Sequence, residues 1–146
     1  MKRDLVMLSP TFLDIHEGRL PHPPVALLLG WKTLKFDSES GFIRGEMLAR
    51  EEFLNPSGVL QGGMMCAMLD NAAGLAVMCT LGPGQIAPTL EIKSNFMRPG
   101  KPGRFIGEGW VRSQAAGVCF VEARLITEAG QLVATASATA RIMRVR

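Results

Sequence analysis

Between Glu52 and Glu91 the chain carries one charged side chain, Asp70. Its neighbours are apolar: Met64, Met65, Ala67, Met68 and Leu69 precede it, and Ala72, Ala73, Leu75, Ala76, Val77 and Met78 follow. An unpaired carboxylate is costly to bury, so one in such a run is partnered, protonated or put to use. On one reading Asp70 faces solvent or another subunit, or bonds a nearby hydroxyl or Asn71. On the other it is a general base or nucleophile whose acidity is set by apolar surroundings. Residue types alone leave both readings open. Nine residues earlier, Gln61-Gly62-Gly63 follows the loop signal Asn55-Pro56-Ser57-Gly58. Glycines at a helix start let a ligand approach the backbone, and the N–H groups of a first turn have no intrahelical acceptor. Such a start could hold the oxyanion that develops when a thioester carbonyl is attacked. A flexible loop–helix junction would carry the same glycines. Joined to Asp70 two to three turns along, the pair forms a candidate acyl-transfer site.

The element that must carry these groups runs from Gly62 to Thr80. It is rich in Ala, Leu and Met, poor in β-branched residues and stopped by Gly82-Pro83-Gly84, so a helix is expected. Apolar on every side, that helix needs cover on several sides. Strands supply it. Trp31–Asp37 and Phe42–Ala49 read as a hairpin turning at Ser38–Gly41. After the helix come Thr89–Met97, Phe105–Arg112, Val118–Thr127 and Leu132–Met143. In the last of these Leu132, Ala134, Ala136, Ala138, Ala140 and Ile142 alternate with Val133, Thr135, Ser137, Thr139 and Arg141, a period of two. In Thr89–Met97 the same rule puts Leu90, Ile92 and Phe96 on one side, Glu91 and Lys93 on the other. Upstream, Leu5–Gly18 reads as a short helix, and Pro21, Pro23 and Pro24 begin an extended connector. The expected architecture is α+β: a curved antiparallel sheet wrapped around one long central helix, with residues 1–146 as one domain and an N-terminal helix and Pro-rich connector over about 1–24.

Composition narrows the function classes. Of the 146 residues 47% are hydrophobic and 20% charged, enough apolar material for a core and an excess suited to burial between subunits. The net charge of +3 comes without a Lys/Arg run or basic–aromatic alternation, which disfavours nucleic acid and suits an anionic small ligand. Cys66, Cys79 and Cys119 have neither disulfide nor zinc spacing, so no metal or other cofactor is expected and a reducing cytoplasm is the expected home. Pro10, Asp14, His16 and Glu17 interrupt any signal-peptide core. The helix is long enough to span a bilayer, but Asp70 and Asn71 at its centre argue against the membrane. A cysteine nucleophile at Cys66 lacks a His partner in the pattern, because His16 and His22 both lie in the N-terminal segment.

Asn55-x5-Gln61-Gly62-Gly63-x6-Asp70 resembles the helix-opening motif of hotdog-fold acyl-CoA thioesterases of the phenylacetate-degradation (PaaI-like) family, which have Asn, then His-Gly-Gly, then Asp at the same spacings. Thr89-Leu90-Glu91-Ile92-Lys93-Ser94-Asn95-Phe96-Met97-Arg98-Pro99 resembles the strand that follows in that family. The segment Gly18-Arg19-Leu20-Pro21 and the closing strand also fit. The resemblance implies a hotdog fold, hydrolysis of an acyl-CoA thioester, and dimers paired into a homotetramer with sites at subunit interfaces. It implies that Asp70 activates water or attacks the thioester, that the Gly62 N–H polarises the carbonyl, and that Asn55 orients substrate or water. Thr89 falls near a position where members often carry a hydroxyl, and Gly63 lies beside the substrate. Arg98, Lys101 and Arg104 are the nearest basic groups for the carrier phosphates. The departure is Gln61, where the family has His: Gln can bond backbone groups but cannot titrate near neutral pH. A non-catalytic hotdog protein that binds acyl-CoA or another acyl ligand is the competing reading.

Overall fold

The computed structural model of the protein describes residues 11–145. Two short helices, α1 (Phe12–His16) and α2 (Pro24–Leu29), lead into the strands β1 (Lys32–Asp37) and β2 (Phe42–Ala49). A 3-10 turn at Glu51–Phe53 precedes the long helix α3 (Gly62–Met78). Then follow β3 (Gln85–Ile86), β4 (Thr89–Phe96), β5 (Gly103–Ala115), β6 (Val118–Thr127), β7 (Leu132–Arg141) and β8 (Met143–Arg144). Six strands form one antiparallel sheet in the order β1-β2-β5-β6-β7-β4, while β3 and β8 pair separately. Helix α3 packs on β2, β4, β5, β6 and β7. This is the sheet around a central helix expected of a hotdog fold.

Close approach of helix and sheet follows from small residues. The Ala-rich face of β7 is buried at Ala134, Ala136, Ala138 and Ala140, as its period of two predicts. On β5, a Cβ at Gly109 would stand 2.4 Å from the carbonyl oxygen of Ala72, so only glycine lets the backbone of α3 lie there. From Phe105 to Gly109 the odd positions of β5 therefore face α3 and the even ones face outward. On that outer face Glu108, 4% exposed, accepts from Arg44 and Arg124 at 2.5 Å each.

Three expectations change. The expected helix over Leu5–Gly18 lies partly outside the described residues. Within them it starts at Phe12, because Thr11 and Asp14 form a reciprocal capping box. The expected extended connector ends at Pro23, because Pro24 occupies the first turn of α2, where a missing N–H costs nothing. Lastly, the alternation of β4 and β7 is broken. The register between β4 and β7 slips by one residue between Thr89 and Glu91, leaving Leu90 63% exposed and setting Thr89 opposite the buried Ala140. A second slip, between β6 and β7, buries Val133 and leaves Leu132 exposed. Bulges of this kind defeat a strict period of two.

Candidate active site

The flank of α3 that meets the edge strand β4 holds three contacts in sequence. Gly62, Cys66 and Asp70 recur at intervals of four and so share one strip of helix surface. Opposite them, the Phe96 ring comes within 3.2 Å of where a Gly62 Cβ would sit. The Ser94 hydroxyl donates to Cys66 Sγ at 3.3 Å, and the Thr89 hydroxyl donates to Asp70 Oδ1 at 2.9 Å. Asp70 is half-buried, neither a solvated surface charge nor an isolated buried one. Thr89 holds one of its oxygens, and Oδ2 has no protein partner among the described residues. The bulge in β4 makes this possible. Unbroken alternation would turn Thr89 away from the helix.

The start of α3 is positioned by backbone bonds. Gln61 N–H donates to Phe53 O at 2.8 Å and Leu60 N–H to Gly100 O at 2.9 Å. Met64 and Met65 donate back to Gln61 O, so among the described residues the N–H groups of Gly62 and Gly63 have no protein acceptor. These are the free donors an oxyanion requires. Asn55 sits in the preceding loop, where its Oδ1 accepts from Ser57 N–H at 2.9 Å and Val59 N–H at 3.3 Å. Those bonds fix the amide orientation and leave its NH2 group without a protein acceptor among the described residues. Gln61 caps the helix by backbone alone, and its exposed side chain makes no capping bond.

Distance divides these groups within one chain. Eight residues separate Gly62 from Asp70, a rise of about 12 Å along the helix. A reacting carbonyl must lie about 3 Å from both the oxyanion donor and the attacking group. Along one helix the two groups therefore lie farther apart than direct attack by Asp70 on a carbonyl held at the Gly62 N–H allows.

The basic residues separate as well. Arg98 is exposed and lines an apolar groove with Val59, Leu60, Gly62, Met65, Phe96 and Met97. Lys101 is exposed in the following loop. Neither has an ion-pair partner among the described residues. Arg104 lies on the outer face of β5, 3.5 Å from the Glu46 carboxylate and away from α3.

Residue patterns did not reveal Asn71. Its Nδ2 is buried without a partner among the described residues, against a cavity between α3 and the N-terminal helices. Its one signal was a polar residue beside Asp70 in an apolar run. Burial raises the Cys79 thiol to about 11 and pushes Cys119 upward too. Neither thiol is a ready nucleophile. No helix among the described residues is long and apolar enough to cross a membrane.

The sequence profile of the thioesterase superfamily matches residues 57–134, the stretch from the loop before α3 into β7. A protein of Saccharolobus solfataricus named as an esterase is 33% identical over 108 residues, covering 74% of this chain and 76% of its own length. A solved structure from Ralstonia eutropha, named as a thioesterase and phenylacetic acid degradation-related protein, superposes with a TM-score of 0.86 at 37% identity. It covers 89% of this chain and 98% of its own. The E. coli PaaI protein from the phenylacetic acid degradation operon shares the fold at a TM-score of 0.75 and 21% identity, covering 86% of each chain.

Proposed function

The chain belongs to the thioesterase superfamily, and from that premise we propose that it hydrolyses an acyl-CoA thioester in the cytoplasm, with Asp70 as the reacting carboxylate. The observation that carries the reading is the half-buried Asp70, alone in its charge along α3 and held through Oδ1 by Thr89. Its free oxygen takes a proton from water as the water adds to the carbonyl, or attacks that carbon itself. The carbonyl oxygen gains charge, which the Gly62 N–H receives, with Gly63 beside it and the Asn55 amide orienting water or substrate. The C–S bond then breaks. In the first case the thiolate takes the proton held by Asp70. In the second it leaves an Asp70–acyl anhydride, which water hydrolyses to the free acid, restoring the carboxylate and supplying the thiolate's proton. Arg98 and Lys101, free of ion pairs among the described residues and near the groove at the helix start, hold the carrier phosphates. Arg104, engaged by Glu46, contributes least.

The rise of about 12 Å between Gly62 and Asp70 supports a site shared by two chains. The edge strand β4 exposes Leu90, Phe96 and, just past its end, Met97. Two β4 edges paired across a two-fold axis would cover these residues and set the two α3 helices antiparallel on one side of a continuous sheet. One copy's helix start would then face the other copy's Asp70. Such dimers, paired again, give the homotetramer.

The deciding experiment measures free-thiol release from short, medium, long and aromatic acyl-CoAs by wild type and Asp70→Asn at matched circular dichroism. Hydrolysis by wild type that is lost in Asp70→Asn is the expected result. A folded wild type that binds acyl-CoA and cleaves none would establish instead an acyl-binding protein, the reading that Gln61 in place of His favours.

A further inference from the structure

The outer face of the sheet, away from α3, carries a row of polar side chains in register. Arg44, Glu108, Arg124, Thr135 and Asn95 stand opposite one another across β2, β5, β6, β7 and β4. Along this row runs a groove of about 420 Å³, bordered by Trp110, Arg112, Glu122, Arg124, Thr135 and Ser137. Its two arginines are held in the same way. Arg124 donates from Nε to the buried Glu108 carboxylate at 2.5 Å, and Arg112 donates from Nε to Glu122 at 2.7 Å. Both guanidinium groups also lie against the Trp110 ring, their central carbons 5.4 Å (Arg112) and 5.2 Å (Arg124) from its centroid. A guanidinium has five N–H donors, and the Nε bond uses one of them. The Nη groups of Arg112 and Arg124 donate to no protein acceptor among the described residues. Carboxylates and ring thus fix two guanidinium groups beside one groove with most of their donors unused.

We propose that this groove is an anion site for a phosphate group, separate from the candidate active site and independent of the thioesterase reading. Charge favours an anion there. Arg44, Lys93, Arg112 and Arg124 stand on this part of the face against the carboxylates of Glu91, Glu108 and Glu122, and Glu108 is already engaged by two arginines. A phosphate offers enough oxygens to accept from two guanidinium groups at once, which a single carboxylate does less well. The Thr135 and Ser137 hydroxyls and the Asn95 amide border the same groove and add neutral donors. Its size leaves room beside the phosphate for an attached organic group.

The test is calorimetric titration of the full chain with inorganic phosphate, pyrophosphate and AMP at low ionic strength, with chloride as the blank. Saturable binding of at least one of them, one per chain, is the expected result. Arg112→Gln and Arg124→Gln should each weaken it about tenfold, the value of a charge-assisted hydrogen-bonded contact. Added salt should weaken it further. Equal affinity for phosphate and AMP identifies free phosphate as sufficient, whereas preference for AMP identifies an organic phosphate, and both support the site. Ser137→Glu brings a negative charge to the groove from β7 without touching either ion pair. It should abolish binding, and it keeps the test decisive if an arginine variant fails to fold. Binding that is absent in wild type, or unchanged in all three variants, overturns the assignment. Absent binding in wild type, together with a lower oligomeric mass of Ser137→Glu by light scattering, would give the face to a second copy of the chain and likewise overturn it.

Discussion

The Thr89 hydroxyl donates to Asp70 Oδ1 across 2.9 Å, from the one position of β4 where the strand slips its register. Helix and strand meet there through a carboxylate and a hydroxyl, although the strand's alternation assigns that place to Leu90. The bond steers the carboxylate and leaves its second oxygen open.

Asp70→Asn removes the charge and little volume. It should lower kcat by at least about a hundredfold, the lower end of general acid–base contributions, with fold and oligomer unchanged. Thr89→Val removes only the steering bond and should lower kcat by about tenfold with KM nearly constant, about one hydrogen bond's worth. Thr89→Ser should restore it. Thiol release at matched circular dichroism reads all three, and full activity in Thr89→Val would deny Thr89 a positioning role.

A site divided between two chains predicts complementation. Asp70→Asn and Asn55→Ala homo-oligomers should each be nearly inactive, and unfolding and refolding them together should restore activity. In random dimers half are mixed, each with one intact site, so about a quarter of wild-type activity should return. Mixtures no better than their parents would place both groups in one chain's site.

Gly109 is where α3 rests on the sheet. Gly109→Val should cost about 3 kcal/mol or more, because a Cβ would meet the backbone oxygen of Ala72, which cannot rotate away. Gly74→Ala, on the open side of the same helix, should stabilise by up to about 1 kcal/mol. Urea unfolding of the two variants makes the comparison, and equal midpoints would contradict the packing described.

Glu108 is buried while both of its arginines are partly exposed. Either Arg44→Ala or Arg124→Ala leaves the carboxylate one cation, so each alone should cost little. The double variant strands a buried charge, and its loss should exceed the sum of the singles, approaching about 3 kcal/mol. A double-mutant cycle by denaturant unfolding measures the excess. Simple additivity would show that water reaches Glu108.

Cys79, raised by burial from 9.0 to about 11, adds stability that is fully present below pH 9 and lost as pH rises towards 11. The native protein should therefore lose stability in that window, and Cys79→Ala should lose less. At pH 8 a thiol-specific reagent should label Cys79 and Cys119 only slowly until the protein is unfolded. Rapid labelling of Cys79 in the native state would show that its burial is transient.

Much was legible because it is local. The central helix follows from Ala, Leu and Met between a Gly-Gly start and a Gly-Pro-Gly stop. The inward alanines of β7 follow from a period of two, and the isolation of Asp70 from the absence of other charges around it. These signals lie within a turn or a strand length, and the sequence states them directly. Residue type and position also singled out Gln61, Gly62 and Asp70, and the resemblance to the family's helix-opening motif added Asn55.

Tertiary structure decided what depends on register and on distant partners. A one-residue slip decides whether Thr89 or Leu90 faces the helix, and a slip costs little locally, so no short pattern encodes it. The engagement of Arg104 by Glu46 arises across neighbouring strands, and the unpartnered amide of Asn71 arises where N-terminal helices close over α3. The separation of Gly62 from Asp70 is a matter of helical rise, about 1.5 Å per residue, and becomes a constraint only when both must reach one carbonyl. Sequence determines which groups are present and how the chain between them is folded. Only packing in three dimensions determines which of them meet.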